Sequence, residues 1–133
     1  MKNAQDRGWI AIAALSGTVS VIVGAFAAHG LDATTDAGTK AREWLQTGSH
    51  YEAAHAIAML VVAALAASTR LRPGLATAAQ ILFLVGSILF PGALYALAFH
   101  GPRWFGAVAP IGGLAFILGW LTLAAAALGR RVT

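Results

Sequence analysis

Four long apolar stretches dominate the pattern of hydrophobic and polar positions along this chain. They cover residues 9–28, 50–69, 75–99 and 105–128, with short polar segments between them. Three of them contain no formally charged residue, and the second contains only Glu52. A helix rises about 1.5 Å per residue, so about 20 apolar residues cross a hydrocarbon core about 30 Å thick. The pattern therefore predicts an all-α integral membrane protein, a four-helix bundle with four transmembrane helices.

Composition agrees with this prediction and excludes several classes of function. Hydrophobic residues make up 59% of the 133 residues and charged residues 11%, whereas a soluble domain has about 25% charged residues. The length allows a single membrane domain, residues 1–133. The sequence contains no cysteine, which excludes a disulfide, a thiol nucleophile and a thiolate metal site. The basic residues are scattered at span ends, which fits membrane topology and argues against nucleic acid as a partner.

Charged residues between the spans predict the orientation. With four spans, the N-terminus, the second connection and the C-terminus share one side, which carries six of the nine basic residues and a single acid, Asp6. Basic residues next to span ends are retained in the cytoplasm during insertion. We therefore expect both termini in the cytoplasm, with the protein in the cell membrane of a bacterium or an equivalent organelle membrane. The six residues are Lys2, Arg7, Arg70, Arg72, Arg130 and Arg131.

Small residues recur where the helices are expected to meet. Lipid tails are as apolar as leucine, so membrane helices associate through close contact, which small side chains permit. Pro91 lies in the middle of the third span and predicts a helix kink, because it removes a backbone donor. Packing inside the bundle is the favoured interpretation of the small residues, and contact with another protein is the alternative. The packing positions are Ser16, Ser20, Gly24, Gly112, Gly113 and Gly119.

Three further features carry local expectations. In the long first connection, Asp36 is expected to cap a short helix that runs through Leu45, separate from the second span. Gln80 is expected to form a hydrogen bond to a neighbouring helix, because it lies within an apolar span. Trp120 is deep in the fourth span and is interpreted as a packing residue.

One cluster could carry chemistry. Tyr51, Glu52 and His55 share a helix face, because residues three and four apart are neighbours. His29 ends the first span, and we expect His55 near the boundary between headgroups and acyl chains. The favoured interpretation is structural: hydrogen bonds that tie helix two to the end of helix one. The alternative is a site for a metal, a haem or a quinone, since two imidazoles and a carboxylate suit zinc. No cofactor is assigned, and metal binding is left open.

Four ordered motifs resemble the signature of a family of small four-helix membrane proteins. The motifs are GAFAAHGL at 24–31, YEAAHA at 51–56, LFPGALY at 89–95 and PIGGLAFILGW at 110–120. They are similar to the elements GAFGAHGL, YxxxHA, LFSGSLY and TPIGGxxFIxGW of domain of unknown function 423, which includes transmembrane protein 256 in eukaryotes.

The chain departs from that signature at four positions, Ala27, Pro91, Ala93 and Ala109, and the family usually has threonine where His100 stands. The resemblance implies an integral membrane protein with four helices. It supplies no catalytic residue, because the family has no established activity. It points to His29, Tyr51 and His55 as the first positions to test.

These observations rank three functions. The leading hypothesis is a non-enzymatic membrane protein, an accessory or scaffold component of a larger complex or a homo-oligomer. Metal, haem or quinone binding at the cluster of His29, Tyr51, Glu52 and His55 is the alternative. A minimal transporter is the weakest, because a transport path needs ionisable groups and the middle of each predicted span lacks acidic and basic residues. No serine–histidine–acid set or phosphate-binding glycine loop indicates an enzyme.

Overall fold

Four helices make up nearly all of the protein. The computed structural model describes residues 2–68 and 70–129, with only the backbone described at residues 2 and 3. Each helix is long and apolar enough to cross a membrane, so the prediction of an all-α protein with four membrane-spanning helices is confirmed. Arg130 and Arg131, used above to predict orientation, lie outside the described residues, as does Thr69. The helices are α1 (Lys2–His29), α2 (Asp36–Ala67), α3 (Pro73–Ala98) and α4 (Phe105–Leu128).

The second helix begins 14 residues earlier than the apolar pattern predicts. The expected short helix and the second span form one continuous helix of 32 residues. The expectation that Asp36 caps it is wrong, because Thr35 is the N-cap and its hydroxyl accepts a hydrogen bond from the Gly38 N–H at 3.0 Å. The segment between the two predicted helices contains no proline, so nothing in the backbone stops the helix there. Just ahead, two hydrogen bonds from Thr34 lower the pKa of the Asp32 carboxyl.

The helices alternate in direction and pack mainly in chain order, α1 on α2, α2 on α3 and α3 on α4. We call the end of the bundle where α1 begins and α4 ends the terminal end, and the opposite end the far end. The backbones of α3 and α4 meet at Gly112, where an added Cβ would clash with the backbone of Leu89 and Phe90. Along the same contact a phenylalanine ring lies against a glycine twice, in the pairs Phe116–Gly86 and Phe83–Gly119.

The other residues assigned to packing are placed differently. Ser20 is buried and donates to the Gly17 carbonyl of its own helix at 2.7 Å. An added Cβ on Gly24 would lie 3.6 Å from the Ser49 hydroxyl, so α1 and α2 pass close to each other there. Gly113 is looser, since an added Cβ would lie 3.9 Å from Phe90, an ordinary van der Waals distance.

Helix α3 contains one proline and ends in a turn of unusual backbone conformation. The helix continues through Pro91, whose side chain is fully buried, and the kink expected there stays a prediction. After the helix, His100 has a φ of 64°, in the left-handed region that a helix C-terminus often uses. The Gly101 N–H then bonds back to the Ala96 carbonyl at 2.6 Å, which satisfies one of the last carbonyls of the helix.

Candidate functional site

Glu52 is a buried carboxylate with a donor on each oxygen. Its residue is only 7% exposed, and it projects from α2 between two neighbouring helices. The Ser16 hydroxyl of α1 donates to Oε2 at 3.0 Å, and the Tyr95 hydroxyl of α3 donates to Oε1 at 2.8 Å. A buried charged or polar group is tolerated when its hydrogen bonds are made, and here two separate helices make them. Glu52 thus joins α1, α2 and α3.

His55 lies one turn further along α2 and connects to the fourth helix. Its Nδ1 is 2.7 Å from the Tyr51 carbonyl, and a carbonyl only accepts, so Nδ1 carries the proton. Nε2 accepts a hydrogen bond from the Trp120 indole N–H at 3.0 Å. The ring also stacks on Phe116, with centroids 3.6 Å apart and planes inclined by 11°. Both ring nitrogens are therefore engaged, and neither has a lone pair available for a metal or a haem iron.

Together these groups form what we call the central cluster, to which every helix contributes. Hydrogen bonds between helices hold membrane proteins together where the hydrophobic effect supplies little. The serine, tyrosine and tryptophan of this set come from α1, α3 and α4, and the two ionisable residues come from α2. The members of the central cluster are Ser16, Glu52, His55, Tyr95 and Trp120.

The central cluster lies deeper in the bundle than the sequence suggests. At the far end Leu45 packs with Ala27 and Ala98, near the ends of α1 and α3, and at the terminal end Leu65 packs in a second core. His55 is ten residues from each of these leucines, which is about 15 Å along the axis. The expectation that His55 lies at the headgroup boundary is therefore wrong. The cause is the early start of α2, which places its polar first half beside apolar parts of α1 and α3.

Two of the proposed site residues stand apart from these hydrogen bonds. His29 is exposed, and Ser16, which contacts Glu52, precedes it in α1 by 13 residues, or about 20 Å. Tyr51 is 48% exposed, and its ring meets Phe90 edge-on at 4.8 Å, so it contributes its carbonyl rather than its hydroxyl. In the described part of the chain, no three histidine, cysteine or carboxylate side chains converge as metal ligands.

Sequence reasoning missed three members of the central cluster. Ser16 and Trp120 were assigned to packing, and Tyr95 was not singled out. The available signal is that a carboxylate within apolar spans requires donors, and the spans offer few of them. Choosing among these few requires the register of the helices. Gly48 fixes part of it, because the Tyr95 ring lies over this glycine, where an added Cβ would be 2.5 Å from Cε1.

A lateral groove lies beside the central cluster. It has a volume of about 530 Å³, and its walls come from α2, α3 and α4. Tyr51, Phe116 and Trp120 are among its lining residues, together with apolar side chains of α4. The only ionisable groups that reach this groove are His55 and Tyr51, and both His55 nitrogens are already paired. The groove therefore presents an aromatic, mainly apolar surface.

Comparison with known proteins places the chain in a family. Residues 23–113 match the family described as protein of unknown function DUF423. A UPF0382 membrane protein of Haemophilus influenzae is 41% identical over 124 residues, which cover 93% of each chain. The UPF0382 inner membrane protein YgdD of Escherichia coli K12 is 38% identical, over 86% of this chain and 85% of its own. The UPF0382 membrane protein YwdK of Bacillus subtilis is 36% identical, over 90% and 94%.

No solved structure matches the chain. The four ordered motifs noted above fall within or next to the matched region, and the relatives carry the word membrane in their names. The resemblance drawn from those motifs is therefore confirmed. With four helices of membrane-spanning length and relatives of nearly equal extent, this multi-pass membrane protein belongs to the DUF423 family, whose members include the UPF0382 membrane proteins.

Proposed function

We propose that this protein is a non-enzymatic accessory or scaffold component of the bacterial inner membrane. The observation that carries the proposal is that the ionisable groups of the central cluster are paired with one another. Both Glu52 oxygens accept hydrogen bonds, and both His55 nitrogens are engaged. A catalytic or ligand-binding group needs an atom that can meet the substrate, and these atoms are committed to holding helices together.

The same geometry gives less support to the two rival functions. Metal or haem binding at the predicted site needs His29 near His55, and the two lie at different depths of the bundle. A transport path along the proline of α3 would leave an opening there. Pro91 is instead fully buried and lines neither the lateral groove nor the pocket at the terminal end. The accessory function needs neither arrangement.

Orientation is part of the proposal, with both termini in the cytoplasm. The terminal end of the bundle presents Arg7, Arg70 and Arg72, all exposed. At the far end the basic Lys40 is paired with Glu43 at 3.5 Å, and further acids lie in the same connection. A basic cytoplasmic side and a mixed opposite side are what insertion of such a protein favours.

The exposed apolar faces suit lipid and a partner helix alike. Large side chains on α1 and α4 project outward, with Leu15 67% exposed and Leu121 62% exposed. Such faces are normal for a bilayer-embedded protein, and an accessory protein uses one of them to contact its partner. The proposal thus predicts that one face meets protein and that the others meet lipid.

Site-specific photocrosslinking in living cells tests this. A photoreactive amino acid is placed singly at Leu15, Val21, Ile117 and Leu121, which sample the outer faces of α1 and α4. The expected result is a discrete protein adduct from one face and lipid adducts from the other, unchanged in His55→Ala. Lipid adducts alone at all four positions would contradict the accessory function.

A further inference from the structure

A pocket separate from the central cluster opens at the terminal end of the bundle. Its volume is about 600 Å³, within the range of about 300–1,000 Å³ typical of small-molecule sites. Helices α1, α2 and α3 form its walls, which are mostly apolar and include Trp9, Val62 and Ala63. No member of the central cluster lines it. The pocket is therefore a second site with its own chemistry.

The polar groups of this pocket are divided between its rim and its deep end. Charged side chains occur only towards the rim, where Asp6 and Arg72 lie near the ends of their helices. The Gln5 amide donates to the Thr77 hydroxyl at 3.3 Å, so α1 and α3 are joined across this end. A ligand body inside the pocket therefore meets apolar side chains and no charge.

Gln80 supplies the polar group at the deep end. It is two turns further into α3 than the rim residues and is 2% exposed. Its amide nitrogen donates to the Met59 carbonyl of α2 at 2.9 Å, which fixes the orientation of the amide. Among the described residues its Oε1 has no hydrogen-bond partner. A buried acceptor without a donor is costly, and native structures rarely leave one unless a ligand or water completes it.

From this arrangement we infer that the pocket binds a small uncharged aromatic alcohol, of the phenol or hydroquinone class. Its ring lies between Trp9 and the α2 wall, and its hydroxyl donates to the Gln80 Oε1. The amide nitrogen is already engaged with Met59, so the site accepts a hydrogen bond and has none to offer. The pocket therefore prefers a hydroquinone, which carries donors, to the corresponding quinone, which carries only acceptors. This inference is independent of the proposed accessory function.

A matched pair of photoprobes tests the inference on the full-length protein in lipid nanodiscs. The probes are 4-hydroxybenzophenone and 4-methoxybenzophenone, which differ in the hydrogen-bond donor. We expect saturable labelling by the hydroxyl probe, mapped by mass spectrometry to pocket residues such as Trp9 and Ala63, and competed by excess phenol. One neutral hydrogen bond accounts for about a fivefold preference over the methoxy probe.

Three variants decide the outcome. Gln80→Met keeps the length of the side chain and removes the acceptor, so labelling by the hydroxyl probe should fall about fivefold to the level of the methoxy probe. Ala66→Leu fills the pocket and should abolish labelling by both probes, which decides the question if Gln80→Met does not fold. Ser87→Ala is the control, because Ser87 is another buried polar residue that does not line this pocket.

The inference is overturned by either of two results. One is equal labelling of the pocket by the two probes in the wild-type protein. The other is labelling by the hydroxyl probe that persists undiminished in both Gln80→Met and Ala66→Leu. Labelling confined to lipid-facing positions such as Leu15, with none in the pocket, overturns it as well.

Discussion

At the residue scale, the protein is defined by polar side chains that find partners inside an apolar bundle. The sequence alone places Glu52 and His55 on one helix face, because their spacing is close to one turn. It does not reveal that Tyr95 and Trp120 meet them, since those contacts join residues 43 and 65 positions apart and depend on helix register. Local spacing is readable from a single sequence, and register between helices is not.

Gly48 gives a direct test of one of these contacts. An alanine there would place its Cβ 2.5 Å from the Tyr95 ring, which must move and lose its bond to Glu52. We expect Gly48→Ala to lower the free energy of unfolding by about 1–3 kcal/mol, as overpacking does. The measurement is an unfolding titration in mixed micelles.

Gly17→Ala is the matched control for that substitution. An added Cβ on Gly17 meets nothing within 4 Å, so the higher helix propensity of alanine should leave stability unchanged or raise it. If both variants were equally stable, the placement of the Tyr95 ring over Gly48 would be wrong.

His100 illustrates a residue whose role is in the backbone. It is the one non-glycine residue with a positive φ in the described part of the chain. Left-handed backbone costs other residues about 1–2 kcal/mol, most of all β-branched ones. We expect His100→Gly to raise the melting temperature and His100→Val to lower it. His29→Val, at an exposed position with ordinary backbone, serves as the control and should change little, and a similar loss in both valine variants would count against this role.

At the scale of elements, the length of α2 is the main difference between expectation and structure. Its most apolar window has a mean hydropathy of 1.4, against 2.1 for the other three helices, so an apolar pattern detects only its second half. The first half is helical because Thr35 caps it and because Leu45 packs between the ends of α1 and α3. Tertiary packing, which hydropathy does not record, determines where this helix begins.

The contact between α3 and α4 predicts opposite behaviour for two adjacent glycines. Gly112 lies against the backbone of α3, so Gly112→Ala must push the helices apart and should cost about 1–3 kcal/mol of unfolding free energy. Gly113→Ala should be nearly neutral, because an added Cβ there would be 3.9 Å from Phe90. Thermal unfolding of the two variants in the same detergent compares them, and equal losses would contradict this geometry.

At the scale of the whole molecule, the number of membrane-spanning helices and the alternation of their direction follow from the apolar pattern. The depth of the central cluster does not, because it depends on which levels of the four helices coincide. The contacts of Leu45 and Leu65 set those levels and place His55 midway. The family, too, was recognisable from ordered motifs such as GAFAAHGL at 24–31.

The orientation of the molecule is testable because the natural chain has no cysteine. Single cysteines at Ala33, in the first connection, and Ser68, at the end of α2, lie on opposite sides and are both exposed. With both termini in the cytoplasm, a membrane-impermeant maleimide should label Ala33→Cys in intact cells and Ser68→Cys only after permeabilisation. The unsubstituted protein controls for background, and the reverse pattern would refute this orientation.

The most direct test of the account is a double-mutant cycle on Glu52 and Tyr95, whose hydrogen bond of 2.8 Å joins α2 to α3 inside the bundle. The free energy of unfolding is measured for the wild-type protein, Glu52→Ala, Tyr95→Phe and the double variant. If the buried pair holds the helices together, the two substitutions should be coupled by about 1 kcal/mol. Effects that add to within about 0.3 kcal/mol would show that the two side chains do not interact, and the central cluster would not be the structural centre of this protein.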